Sequence, residues 1–175
     1  MLNGGCVEMS EPACVVSDTG PLIHLDELGC LDLLDGLGEI LIPHVVWAEV
    51  QKHRSMLAVS AIPSARLVPG EPVDAQLLAL SKAFDLDAGE LAALAVLRNR
   101  HGRQLLLCDD SAARLAAESL GVEVRGTIGL IVRALRTKVR TATEVRQTLI
   151  NLTSLSTLHV SPALLRQVLA QLPAP

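Results

Sequence analysis

The chain has 175 residues, enough for one domain with a substantial core, and half of its residues are hydrophobic. One Trp, one Phe and no Tyr argue against RNA-recognition sheets and OB-folds, which stack bases on aromatic rings. The net charge of −4 excludes a general attraction for nucleic acid, so contacts with phosphate must come from local arginines or from metal ions.

The first predicted element is a buried strand over residues 13–17, which ends at Asp18. A helix follows, with Pro21 in its first turn and Asp18 or Thr19 available as its N-cap. The helix breaks near Gly29 and resumes briefly after it.

Strand-like and helix-like segments then alternate to the end of the chain. Further strands are predicted over residues 39–42, 66–68, 104–108 and 122–124. Further helices are predicted over residues 30–34, 44–53, 73–84, 87–101, 111–120, 128–138, 143–152 and 161–172. This alternation favours a parallel sheet with helices on both faces.

Aspartates stand at the ends of two predicted strands. Asp18 follows the first strand, and Asp109 and Asp110 follow the strand over residues 104–108. The carboxyl ends of parallel strands meet at one edge of the sheet, where open α/β folds bind ligands. Helix capping, worth about 1 kcal/mol, is the structural alternative for each of them, although one cap needs only one aspartate.

Two glutamates lie on predicted helices between those strands. Glu90 follows Asp87 in the D-x-x-E spacing of a capping box, so a purely structural role at the helix N-terminus could explain it. For Glu49 the structural explanation is a side chain that faces solvent. Carboxylates that converge repel each other unless a cation lies between them. Oxygen ligands favour Mg²⁺ or Mn²⁺ over zinc, and such ions promote attack of water on a phosphodiester.

The four cysteines are widely spaced and form no CxxC pair. We therefore expect reduced, structural thiols in a cytoplasmic protein. No apolar run approaches ~20 residues and no signal-peptide pattern opens the chain, so neither membrane spanning nor secretion is expected.

Four segments resemble, in order, the four motifs of PIN domains: residues 16–23, 40–50, 86–95 and 105–114. The Gly89-Glu90 pair and the Gly-Thr-x-Gly turn that begins at Gly126 are similar to a prokaryotic branch of that family. The similarity covers about residues 15–138, and the tail also looks like that branch. The resemblance implies a three-layer α/β/α fold with a central, mostly parallel sheet. It also implies a PIN-like catalytic domain over 13–140 and a helical extension over 141–175 packed on the same domain. Residues 1–12 contain Gly, Glu, Ser and Pro and are expected to form a flexible leader.

The resemblance also implies which residues form the catalytic metal site. The implied ligands are Asp18, Glu49, Glu90 and Asp110, with Asp109 as the alternative to Asp110. Thr19 is expected to support them with its hydroxyl group. Cys108 occupies the place where the family usually has Thr or Ser, two positions before the ligand, which favours Asp110. Arg114, one helical turn later, is the best candidate to contact a substrate phosphate.

The function implied by the resemblance is a ribonuclease that depends on Mg²⁺ or Mn²⁺, in the role of the toxin of a toxin–antitoxin pair. Its expected partners are RNA, an antitoxin protein and a second copy of the chain. The alternative is a PIN-like module that binds nucleic acid or protein without cleavage. An aspartic protease and a haloacid-dehalogenase-like phosphatase fit less well, since the first needs a β-rich scaffold and the second an Asp where Gly20 stands.

Overall fold

The computed structural model of the protein describes residues 14–173, so the expected leader over residues 1–12 lies outside the described residues. Five parallel strands form one sheet in the order β3-β2-β1-β4-β5. The strands are β1 (Cys14–Ser17), β2 (Ile40–Pro43), β3 (Ala65–Val68), β4 (Gln104–Leu107) and β5 (Glu123–Arg125). Each lies within one or two residues of its predicted position.

Eight α-helices cover the described part of the chain. They are α1 (Thr19–Glu27), α2 (His44–His53), α3 (Ala75–Phe84), α4 (Ala88–Arg98), α5 (Ser111–Ser119), α6 (Thr127–Arg136), α7 (Ala142–Leu155) and α8 (Pro162–Gln171). Two predictions were wrong in detail. The segment after Gly29 is a short 3₁₀ turn, Leu31–Leu34. Helix α4 ends at Arg98 rather than at His101, because the Asn99 side chain donates to the Ala95 carbonyl and the chain leaves the helix there.

The two faces of the sheet are buried against different helices. Val15 of β1 belongs to the core cluster that contains residues of α1, α2, α6 and α7. Its neighbour Val16 belongs to a second cluster, which contains residues of α3, α4 and α5. Successive side chains of a strand point to opposite faces, so helices cover both sides of the sheet. The expected three-layer α/β/α fold with a parallel sheet is confirmed, and it is not the β-rich scaffold of an aspartic protease.

The last two helices differ in how they pack. Val145, Leu149 and Leu152 of α7 are buried in the first core cluster. Helix α8 contributes no fully buried residue, although Leu172 just after it is buried. Among residues 14–173, no helix is long and apolar enough to cross a bilayer.

The strand order determines where a ligand site is expected. Strand β1 is central and pairs with β2 on one side and with β4 on the other. The order reverses between β1 and β4, and open α/β sheets bind ligands at such a switch point, beyond the carboxyl ends of the strands. Asp18 directly follows β1, and Asp109 and Asp110 follow β4.

Candidate metal centre

Asp18 lies at the N-cap position of α1, yet its side chain forms no capping hydrogen bond. A capping side chain bonds the second or third N–H of a helix, and the third residue here is Pro21, which has none. Asp18 is buried, with 7% of the residue exposed. Burial raises the pKa of Asp18 to about 6, and the charges of Asp87 and Glu49 add to the effect. Capping therefore does not explain this aspartate.

Glu90 and Asp87 form the capping box that their spacing predicts. Asp87 Oδ1 accepts from the Glu90 N–H at 2.8 Å, and Glu90 Oε2 accepts from the Asp87 N–H at 2.9 Å. Glu90 is nevertheless buried, and burial raises its pKa to about 7, with contributions from the charges of Asp87, Asp110 and Asp18. Capping occupies one oxygen, so the structural role and a role in the acidic cluster are compatible.

Glu49 reaches the same place from α2. The Thr19 hydroxyl donates to Glu49 Oε2 at 3.1 Å, which fixes this carboxylate beside the N-terminus of α1. Thr19 thereby holds the Glu49 carboxylate in place.

Gly89 leaves the space into which these carboxylates converge. A Cβ atom on Gly89 would lie 3.3 Å from Asp87 Oδ1, 3.4 Å from Glu49 Oε2 and 3.5 Å from Asp18 Oδ1. Three carboxylate oxygens from three elements therefore surround one buried glycine. Any larger residue would place a methyl group among them.

Cys108 closes the bottom of the cluster. Its Sγ, an oxygen of Asp18 and an oxygen of Glu90 lie within 4.8 Å of one another. Burial raises the pKa of this fully buried thiol, as do the charges of Asp18 and other acids, so the thiolate is disfavoured in the metal-free protein. The S–H group lies 3.7 Å from Asp18 Oδ2 and donates to it, as the hydroxyl of Thr or Ser would. We assign it as a donor rather than a metal ligand.

Asp109 and Asp110 differ in their surroundings. The Asp109 carboxylate accepts from the Thr127 N–H at 2.7 Å and from the Thr127 hydroxyl at 2.6 Å, and it lies 2.8 Å from His24 Nδ1. Asp110 caps α5 through Oδ1, which accepts from the N–H groups of Ala112 and Ala113. Asp110 is exposed, and its charge contributes to the raised pKa of Glu90.

The structure therefore places oxygens of Asp18 and Glu90 within 4.8 Å of each other and an oxygen of Glu49 near Asp18 beside Gly89. The exposed Asp110 caps α5, and Asp109 is tied to other elements. Two residues near the site were not recognised from the sequence as part of it. Asp87 was interpreted only as a cap, although the D-x-x-E spacing places it beside Glu90. His24 carried no signal, because its contact with Asp109 joins residues 85 positions apart.

These residues fit a hard divalent cation. The donors beside Gly89 are carboxylate oxygens, which Mg²⁺ and Mn²⁺ prefer. Two buried carboxyls have raised pKa values, so charging them in the absence of a cation is unfavourable. A cation among them would relieve that cost.

A protein-family model described as "PIN domain" matches residues 14–173. The match covers the whole described part of the chain, including α7 and α8. No curated protein matches the chain.

Proposed function

The chain belongs to the PIN-domain family, whose fold is generally that of a metal-dependent nuclease, and we propose that it hydrolyses RNA phosphodiester bonds with Mg²⁺ or Mn²⁺. The observation that carries the proposal is the pair of buried carboxylates Asp18 and Glu90, whose oxygens lie within 4.8 Å of each other. Oxygens of Glu49 and Asp87 approach the same place beside Gly89. Two buried carboxylates this close together repel each other, and a divalent cation between them would remove that cost.

We propose Asp18, Glu49, Glu90 and Asp110 as the residues that would hold the ion. A bound divalent cation neutralises charge on the phosphodiester and activates the attacking water. The chain's own residues position the ligands: Thr19 donates to Glu49, Cys108 donates to Asp18, and the Asp87 N–H donates to Glu90. Glu90 and Asp110 each use one oxygen as a helix-terminus acceptor, and no hydrogen bond within residues 14–173 occupies the other.

More specifically, we propose that the chain acts in the cytoplasm as the toxin of a toxin–antitoxin pair. The small size of the chain and its buried free thiols, Cys14, Cys30 and Cys108, agree with it. An antitoxin and a second copy of the chain are the partners proposed with that role.

The test is cleavage of a labelled single-stranded RNA of mixed sequence by the full chain, in Mn²⁺ and in EDTA. Asp18→Asn removes one ligand charge, and Asp85→Asn is the matched control, because Asp85 is exposed and its left-handed backbone suits Asn. We expect cleavage by the wild type and the control, none in EDTA, and a loss of at least roughly 100-fold for Asp18→Asn. RNA binding without cleavage would instead support the non-catalytic binding module, and equal cleavage by Asp18→Asn would contradict the proposed site.

A further inference from the structure

A groove of about 390 Å³ begins where the acidic cluster ends. It lies between β5, the first turn of α6 and the connection between α7 and α8, and Asp109 and Arg114 form its edge toward the cluster. Its volume falls in the range of small-ligand clefts, roughly 300–1,000 Å³. The proposed metal ligands Asp18, Glu49 and Glu90 do not line it, so it is a separate surface next to the site.

One wall of the groove is cationic. Arg114 donates to the Cys108 carbonyl at 3.3 Å, and its guanidinium forms no ion pair with a carboxylate of residues 14–173. Arg125 lies beside it and pairs with Glu123 at 2.7 Å. The acid of the groove, Asp109, already accepts hydrogen bonds from Thr127. Arg125 shares Glu123 with Arg103, whereas Arg114 has no carboxylate partner among residues 14–173, so its guanidinium is available to an anion.

The opposite wall is apolar. Leu158, Val160 and Leu164 line it, with the exposed His159 between the first two. Leu164 is 46% exposed although it is a large hydrophobic residue. A ligand that fits both walls has an anionic group at one end and a flat, weakly polar body at the other. A nucleotide of an unpaired strand has that form, since its phosphate and its base face different ways.

We propose that this groove holds one nucleotide of single-stranded RNA beside the scissile phosphate, with its phosphate on Arg114 and its base against Leu158, Val160 and Leu164. The proposal rests on the nuclease function proposed above. It explains how a chain with a net charge of −4 holds RNA next to a cluster of carboxylates. A double strand does not fit, because its bases are stacked and paired and cannot enter a single-nucleotide groove.

The experiment measures binding of a fluorescent single-stranded RNA to the Asp18→Asn chain in EDTA, where no cleavage occurs, at several salt concentrations. Three additional substitutions are compared on that background: Arg114→Ala, Leu164→Ser and Arg66→Ala. Arg66 is the matched control, because it lies on β3 at the opposite edge of the sheet.

We expect Arg114→Ala to weaken RNA binding about tenfold and to reduce the slope of log affinity against log salt by roughly 0.7, the value for one phosphate contact. Leu164→Ser should weaken binding about threefold without changing that slope, and Arg66→Ala should have neither effect. Equal effects of Arg114→Ala and Arg66→Ala would overturn the proposal. So would unchanged RNA binding combined with altered self-association of the Leu164→Ser variant, which would assign the groove to a second copy of the chain.

The outcomes separate this inference from the nuclease function. Groove-dependent RNA binding without any cleavage by the wild type would contradict the nuclease function alone. Metal-dependent cleavage with a KM that Arg114→Ala does not change would contradict the proposed RNA-binding role of the groove, but not the nuclease function.

Discussion

Asp109 and Asp110 are adjacent in sequence, but their carboxylates contact different elements of the fold. Asp109 holds the first residue of α6, Thr127, through two hydrogen bonds and lies against His24 of α1. Asp110 caps its own helix and acts electrostatically on Glu90. Two residues that share a type and a position at the strand end thus have separable roles, one in joining helices and one at the acidic cluster.

Substitution of these two aspartates should separate stability from metal binding. Asp109→Ala leaves the fully buried Thr127 N–H and hydroxyl without an acceptor, so we expect a loss of about 2–3 kcal/mol in the free energy of unfolding. Asp110→Asn keeps a good N-cap and should change stability by less than about 0.5 kcal/mol, while Mn²⁺ affinity falls. Urea unfolding and Mn²⁺ titration of both variants measure this. If the folded Asp109→Ala variant lost more Mn²⁺ affinity than Asp110→Asn, Asp109 rather than Asp110 would be the metal ligand.

Gly89 provides a test that does not remove any carboxylate. Gly89→Ala places a methyl group 3.3–3.5 Å from the oxygens of Asp87, Glu49 and Asp18. Its backbone is not left-handed, so the stability of the metal-free protein should change by less than about 1 kcal/mol. Mn²⁺ affinity should fall at least roughly tenfold. Gly70→Ala, where nothing lies within 4 Å of the new methyl, is the control and should bind Mn²⁺ like the wild type.

The S–H group of Cys108 should be replaceable by a hydroxyl but not by an apolar group. Cys108→Ser keeps a donor for Asp18 Oδ2, whereas Cys108→Val fills the buried space without one. We expect the Val variant to bind Mn²⁺ roughly 10-fold more weakly, because removing a hydrogen-bond donor to a metal ligand typically has an effect of that size. The Ser variant should bind Mn²⁺ with nearly the affinity of the wild type. Parallel titrations test this, and equal affinities for Ser and Val would show that the thiol only fills space.

The stability of the metal-free protein should depend on pH through Asp18 and Glu90. Their pKa values in the folded protein are raised to about 6 and about 7, so the folded state retains protons that the unfolded chain has released. The stabilisation is complete below about pH 4 and is lost as the pH rises through 6 to 7. Asp18→Asn removes one of these groups, so its stability relative to the wild type should increase over that range, by on the order of 1–3 kcal/mol.

Urea unfolding in EDTA from pH 4.5 to 8 gives this difference directly. Comparing the two proteins cancels the contribution of other acids, such as Glu123 and Asp74, whose lowered pKa values act in the opposite direction. When Mn²⁺ replaces EDTA, the wild type should lose less stability as the pH rises. A difference that is constant with pH would mean that Asp18 is already charged at low pH and is not buried among acids.

The fold follows from local patterns that the sequence displays. Apolar strands, Pro21, Pro43 and the capping-box spacing at Asp87 predict the elements, and their alternation predicts the parallel sheet. The site was harder to predict, because helix capping and metal ligation use the same residue type at the same strand end. Only the packed structure shows that Asp18 does not cap its helix and that the Asp109 carboxylate binds Thr127. Long-range contacts such as that of His24 with Asp109 leave no periodicity to detect.

The most direct test of the metal centre is crystallography of the full chain in Mn²⁺, with diffraction measured at the manganese absorption edge. We expect an anomalous peak beside Gly89, coordinated by oxygens of Asp18 and Glu90 and by Glu49 or Asp110 directly or through water, with the Cys108 sulfur outside the coordination sphere. A protein saturated with Mn²⁺ that shows no peak there, or a peak bound by Asp109 or by the Cys108 sulfur, would contradict it.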